Sequence, residues 1–387
     1  MPAAGHALLS ASSSHRWLEC PPSVHLTADI ADTAGEAAAE GTLAHSIVEE
    51  RLDSIIEKNI WPKKASAKIR LDERYRPVME EHADTMVSYV MDIYDRLHES
   101  CPDTLLMSEQ RLNFSRWVPD GFGTGDALVI GDGTLHVIDY KYGKGVPVYA
   151  ENNPQLRLYA LGALEGYDDL YGIHTVVTHI VQPRLDSQTS EEISTEELLR
   201  WAEDYVKPRA QLAANGEGEM NPGEWCRFCK VKATCRARAE QQLALMKYDF
   251  KSPLVLTPEE IGDILGRVDE LAKWAKSVKE YALQTAVNNG EHFPGWKLVR
   301  GRANRKLVDD GDVADILLKA GCEARDIFAL KGLTDLEEIV GKTKLAELLG
   351  DKIYKPEGRP TLAPATDKRQ EITGRTAADD FADDFND

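Results

Sequence analysis

The sequence predicts a mixed α/β core, followed by a smaller and mostly helical C-terminal unit. Three observations predict it. Helical hydrophobic patterns dominate the chain up to Asp103, three β-type segments separated by glycine-rich turns follow, and a helix and a returning strand come next. Such an order, a meander followed by a helix and a returning strand, suggests a mixed α/β core.

The first element is a short helix over Ser12–Glu19, with serines at its start and Pro21-Pro22 after its end. Gly35–Leu52 is alanine-rich and then periodic, with Leu43, Ile47, Val48 and Leu52 on one stripe, and a second long helix spans about Asp72–Leu97. Strands are expected at Leu105–Leu112, Ala127–Ile130 and Leu135–Tyr140, the last two joined through Gly131-Asp132-Gly133. A helix fits Pro154–Glu165 and a strand His174–Val181. Helical pattern resumes at Glu196–Leu212 and, after a cysteine cluster, continues through Met246.

Ser252-Pro253 marks the expected boundary between a first domain, 1–250, and an accessory domain, 253–356. The latter opens with Thr257-Pro258-Glu259-Glu260, the spacing of a capping box, and includes a strand candidate at Trp296–Val299. Residues 365–387 are polar and without periodicity, the pattern of a disordered acidic tail.

Composition narrows the function. The 387 residues carry 46 Lys+Arg against 65 Asp+Glu, a net charge of −19, which argues against a coat that binds nucleic acid by bulk charge. An enzyme with a local basic groove stays open. No apolar run approaches a membrane span, and the region from Met1 to Cys20 lacks the apolar core of a signal peptide. The expectation is a soluble intracellular protein.

Chemistry concentrates around Gly125-Asp126 and Ile138-Asp139-Tyr140-Lys141. Strand alternation puts Leu135, Val137, Asp139 and Lys141 on one face, and hairpin pairing would bring Asp126 beside them. Two carboxylates can hold a divalent cation, and a lysine can neutralise developing charge. An Asp/Lys pair at a sheet edge can equally be solvated. Gln155 and Tyr159 sit four apart and so share a helix face.

In this context the chain resembles the RecB-type exonucleases of the PD-(D/E)XK nuclease superfamily. The resemblance rests on four elements in order: Gly41-Thr42 with His45, Gly123 with Asp126, Asp139-Tyr140-Lys141, and Gln155 with Tyr159. It covers Ser12 to about Glu240. It implies a restriction-endonuclease-like core, a central mixed sheet flanked by helices, with His45, Asp126, Asp139 and the Tyr140 carbonyl as ligands of Mg²⁺ or Mn²⁺. It implies Lys141 as catalytic, and Gln155 and Tyr159 as contacts to the substrate strand. Glu49, one turn after His45, and Glu109 are loose candidates, the latter read as a surface strand residue.

Of six cysteines, Cys226, Cys229 and Cys235 form a C-x2-C-x5-C group, which suits a metal site better than a disulfide framework. With Cys20 far upstream they resemble the iron–sulfur subgroup of the same family, including the AddB helicase–nuclease subunit and the CRISPR adaptation nucleases. That likeness implies a [4Fe–4S] cluster stapling the N-terminal segment to the end of the nuclease domain. A four-thiolate Zn²⁺ site is the alternative. Cys101 and Cys322 read as ordinary thiols.

Arg227, Lys230, Lys232, Arg236 and Arg238 surround these cysteines and read either as a DNA path or as a solvated face. Lys297, Arg300, Arg302, Arg305 and Lys306 form a second acid-free window and are expected to contact the DNA backbone. The absence of a Walker-type loop argues for a stand-alone nuclease without a helicase motor. The chain further resembles a family of phage and prophage proteins encoded near replication and recombination genes, which implies the cytoplasm of a bacterial host. The function expected is a metal-dependent DNA exonuclease; a flap or branch endonuclease and a non-catalytic DNA-binding scaffold are the alternatives. Asp379-Asp380-Phe381 and Asp383-Asp384-Phe385 in the tail suggest a hook for a single-strand DNA-binding or annealing protein, a self-inhibitory segment, or a plain acidic end.

Overall fold

A computed structural model describes residues 7–30, 35–244, 256–299, 310–320 and 323–353. Its centre is a five-stranded mixed sheet in the order β1 (Leu105–Asn113), β2 (Phe122–Gly131), β3 (Thr134–Tyr140), β4 (Thr175–Gln182) and β5 (Ser187–Ser194). Neighbours are antiparallel except β3 and β4, which are parallel. A parallel pair needs a long crossover, and the helix Pro154–Tyr171 supplies it.

Helices cover both faces. In chain order they begin with the short α1 (Ser14–Trp17) and α2 (Ser23–Ala28), then α3 (Glu36–Lys58), α4 (Ala67–Arg70), α5 (Val78–Ser100) and the crossover helix α6. On one face, Ile47, Val48 and Leu52 of α3 and Met86, Val87 and Val90 of α5 bury Ala127, Val129, Ile138 and Tyr140. On the other, Leu156, Ala160 and Ala163 of α6 cover Leu128, Ile130, Leu135 and Val137. There Trp17 and the helices α7 (Thr195–Trp201) and α8 (Lys207–Asn215) complete the layer. Strand alternation therefore decides which helix each side chain meets.

Local chemistry sets the ends of α6. Asn153 caps it through bonds from the Gln155 and Leu156 N–H groups, Pro154 occupies its first turn, and Gly172 ends it at φ +56°. Glycine also admits α6 to the sheet: a Cβ on Gly162 would stand 2.9 Å from Leu112 Cβ.

Beyond the sheet lie α9 (Arg236–Leu243), α10 (Pro258–Asn289), α11 (Asp310–Lys319), α12 (Ala324–Ile327), α13 (Leu333–Val340) and α14 (Lys342–Leu349). The capping box of α10 is formed, Glu260 N donating to Thr257 Oγ1 at 3.3 Å and Thr257 N to the Glu260 carboxylate at 3.1 Å. Helices α13 and α14 dock through polar contacts. Lys342 pairs with Asp186 at 2.9 Å, Thr343 N donates to Glu81 at 3.1 Å, and Glu338 lies 3.6 Å from Arg184 and 3.8 Å from Lys144.

Some expectations need correction. Trp296–Val299 is not a strand: no described neighbour pairs with it, and Trp296, Leu298 and Val299 are exposed. β2 begins at Phe122, well before Ala127, because Gly123 and Gly125 lie inside a paired strand. β5 is polar and lies at the sheet edge, where Ile193 alone of its residues is buried. The boundary at Ser252-Pro253, Cys322 and the tail 365–387 lie outside the described residues. Among those described, no helix is long and apolar enough to cross a membrane.

Candidate functional site

The β2–β3 ladder runs from Gly131–Thr134 to Ala127–Ile138 and stops one position before Asp126 would pair with Asp139. There the strands part. The Tyr140 N–H is taken instead by the Asp126 carboxylate at 2.7 Å, while Lys141 N still donates to Val181 O of β4 at 2.9 Å. A side-chain acceptor thus replaces a backbone one at the mouth of a split in the sheet.

Four elements converge on that split. From α3, His45 Nδ1 donates to the Gly41 carbonyl at 2.9 Å, which fixes the ring and aims Nε2 at Asp126, 3.4 Å away. Just past the end of β3, Lys141 Nζ stands 2.9 Å from Asp139. From α6, Gln155 accepts from Lys141 Nζ at 3.1 Å and turns its amide N–H groups toward Asp139 (3.3 Å) and the Tyr159 hydroxyl (3.0 Å). Gly123 makes room for Tyr159: a Cβ there would lie 2.5 Å from the ring.

The environment separates the two carboxylates. Burial opposes ionisation of Asp126, but the bonds from His45 and the Tyr140 N–H outweigh it and hold its pKa below the usual range. Burial, reinforced by Asp126, raises Asp139 against the pull of Lys141. Burial would lower His45, yet its bond to Asp126 raises it to about 9. Each acid therefore faces its own cation, and among the described residues no three His, Cys, Asp or Glu side chains close into a ready-made ion shell. The donors nonetheless suit a hard divalent cation: two carboxylates and one imidazole line the split, and the buried Asp139 Oδ2, though beside Lys141, takes no aligned hydrogen bond.

Glu109 belongs here too, which its reading as a surface strand residue missed. Its neighbours pair in register, Ser108 with Ala127 and Gln110 with Gly125, but Glu109 itself has φ +47° and does not join the ladder opposite Asp126. A left-handed residue inside a strand is uncommon for anything but glycine. Burial, then Asp126 and Glu49, push its carboxyl up to about 7. The signal in the sequence was an acidic residue inside a strand, and only the register shows what it faces. Glu49 is also raised, by burial and by Asp53.

The cysteines gather at a second place, though not as a closed ion shell. Cys20, Cys226, Cys229 and Cys235 line one small cavity together with Arg16, Trp225 and Arg238, and none is in a disulfide. Burial raises the Cys226 and Cys229 thiols, while Arg238 beside the first and Arg16 beside the second pull them down. Four sulfurs with two guanidinium groups near them suit a thiolate-bound metal group. The adjacent basic residues do not form one open face. Arg238 is buried, donating to Cys226 O at 3.0 Å and lying 3.5 Å from Glu270, and Lys230 donates to Ile30 O at 2.6 Å. Arg238 is thus no DNA contact. Of the other basic window, Lys297 is described and exposed; Arg300, Arg302, Arg305 and Lys306 lie outside the described residues.

Comparison with known proteins places the chain in a family. It belongs to the one described as "Protein of unknown function (DUF2800)", whose model matches residues 6–370. A solved structure titled "Crystal structure of SSO0001" is similar at 15% identity, covering 52% of this chain and 98% of that chain with a TM-score of 0.19.

Proposed function

We propose that the chain is a divalent-metal-dependent deoxyribonuclease with a PD-(D/E)XK core, acting as an exonuclease in phage recombination or replication. One observation carries the reading: His45, Asp126, Asp139, Lys141, Gln155 and Tyr159, drawn from four elements, meet at one split in the sheet. A solvated Asp/Lys pair would not need a glutamine bridging both members.

Asp126, Asp139, His45 and the Tyr140 carbonyl would hold Mg²⁺ or Mn²⁺. That ion, when bound, polarises the phosphodiester and acidifies water. Lys141 would hold positive charge where the pentacoordinate phosphorus centre gains negative charge, and would orient the attacking water. Gln155 keeps Lys141 and Asp139 in register, and Tyr159 borders the path of the scissile strand. Cys20, Cys226, Cys229 and Cys235 would hold a [4Fe–4S] cluster, or Zn²⁺ in its place, tying the segment around α1 to the loop before α9.

The test is degradation of linear DNA labelled at the 5′ or 3′ end, with Mg²⁺ or Mn²⁺, beside circular and flapped controls. Release of labelled nucleotides from linear DNA alone supports the exonuclease. Cuts at flaps indicate the endonuclease, and binding without cleavage under every metal condition refutes the enzyme.

A further inference from the structure

The connection between α3 and α5 departs from the charge of the whole chain. From Lys58 to Arg76 it carries Lys58, Lys63, Lys64, Lys68, Arg70, Arg74 and Arg76 against Asp72 and Glu73, within a protein of net charge −19. Arg74 pairs with Asp72 at 2.7 Å, and Arg76 donates to the carbonyls of Glu73 and Tyr75. Lys63, Lys64, Lys68 and Arg70 are exposed, and none of the four makes an ion pair with a described carboxylate. Exposed apolar surface is interleaved with them: Ile60 is 56% accessible, Trp61 41% and Leu71 85%.

The segment is fixed, not loose. The fully buried Arg51 guanidinium bonds the Glu80 carbonyl at 2.7 Å, the Glu80 carboxylate, and Asp84 at 2.9 Å. Glu80 in turn accepts from Ala65 N at 3.1 Å and the Tyr75 hydroxyl at 2.7 Å, and Glu50 accepts from Ser66 N at 2.7 Å. A buried ion pair costs desolvation, so this one needs many bonds to hold. It has them, and they pin the backbone at Ala65 and Ser66 against the helix that delivers His45. Glu50 is five residues from His45, about 7.5 Å along the helix axis and about 140° around it. Trp61 is partly exposed, and its Nε1 donates to Asp84 at 3.0 Å.

We infer that this strip binds single-stranded DNA, Lys63, Lys64, Lys68 and Arg70 contacting phosphates and Trp61 stacking on a base, and so holds the strand beside the site. The inference rests on the proposed nuclease reading for its orientation, although binding is measurable without cleavage. Positive charge interleaved with an exposed aromatic is what sequence-tolerant single-strand binding requires, since every base offers a π-face and every nucleotide a phosphate. An anionic membrane surface would accept the same residues. The pinning to the helix that bears His45 favours the nucleic acid.

The experiment uses the full chain, a fluorescein-labelled single-stranded oligonucleotide and EDTA, titrated across a series of salt concentrations. Lys63→Ala/Lys64→Ala/Lys68→Ala is expected to make the log–log salt slope shallower by about 2, at about 0.7 per cation. Trp61→Ala is expected to weaken binding about fivefold or more, the loss of one stacked base. Unchanged slope and affinity in both variants, with a wild type that binds and degrades DNA, overturns the strip and leaves the nuclease. A wild type that neither binds nor degrades DNA overturns both. Loss of binding to phosphatidylserine vesicles in the triple variant, with DNA binding intact, overturns the strip in favour of a membrane surface. Circular dichroism of each variant verifies that these exposed positions leave the fold intact.

Discussion

Gln155 holds Lys141 by its carbonyl oxygen at 3.1 Å, and this fixes the orientation of the whole amide, because the amide nitrogen must then face Asp139 and Tyr159. An ammonium only donates, so Oε1 is the end that can meet it. The glutamine is thus a clamp on the charge of the site.

Gln155→Leu removes the clamp but retains volume. Cleavage of linear DNA should fall about 10- to 100-fold with KM changed less, because the lysine is misplaced and not lost. Gln155→Glu should differ from it, since a carboxylate still accepts from Lys141 but repels Asp139. Single-turnover kinetics on end-labelled DNA check both.

Asp139→Asn should reduce cleavage by at least about 10³-fold, the scale of losing a group that acts in the transition state, with the melting temperature nearly kept. Wild-type cleavage by a folded Asp139→Asn protein would sink the assignment.

Gly123→Ala should destabilise the protein by about 1–3 kcal/mol, as overpacking does, because its new methyl meets the Tyr159 ring at 2.5 Å. Pairing it with Tyr159→Leu should recover part of that loss in urea denaturation. Additive losses in the double variant would show that the two residues do not touch.

His136, His179 and Tyr89 give a pH dependence that does not involve the carboxylates of the split. The Tyr89 hydroxyl meets His179 Nδ1 at 2.9 Å, and His179 Nε2 meets His136 Nδ1 at 2.9 Å, a chain that two neutral imidazoles complete in one direction. Burial, then Arg96, lowers His136 to about 4; burial, then His136, lowers His179 to about 3. The unfolded chain binds protons below about 6.5 that the folded one refuses, so stability is complete above that pH and falls as pH drops toward 4. Melting temperatures from pH 7.5 to 4.5 should decline. His179→Gln should decline less steeply.

Cys226→Ser should lower yield and melting temperature before it alters cleavage. Anaerobically purified wild type is expected to be brown and to contain iron and sulfide. One equivalent of zinc with neither iron nor sulfide identifies the zinc alternative.

Much of the sheet was legible because its apolar runs are long. Leu135, Val137 and Asp139 alternate as a strand must, and β3 faces α6 with that set. What escaped was polar or glycine-rich. β5 reads Ser-Gln-Thr-Ser-Glu-Glu-Ile-Ser, and its pairing is made by backbone groups against β4 rather than by burial. The first half of β2 was hidden by Gly123 and Gly125, which look like a turn until Tyr159 and Leu112 are seen pressing on them. At the site, residues with a local signature were found: His45, Asp126, Asp139, Lys141, Gln155 and Tyr159. Glu109 was no more than a loose candidate, because what it faces is decided by a strand register.

The bond from the Tyr140 N–H to Asp126 has a bearing on how such a protein would decay. The carboxylate serves the backbone and, on the proposed reading, the metal as well, so replacement by alanine would strand a donor inside the sheet and weaken the fold along with the proposed activity. Asparagine keeps an acceptor in the same place and surrenders only the charge. A lineage losing its chemistry under continued demand for a folded protein therefore has an easy exit at this position, Asp126→Asn, and a descendant with asparagine there would keep the architecture of the split while doing nothing with it.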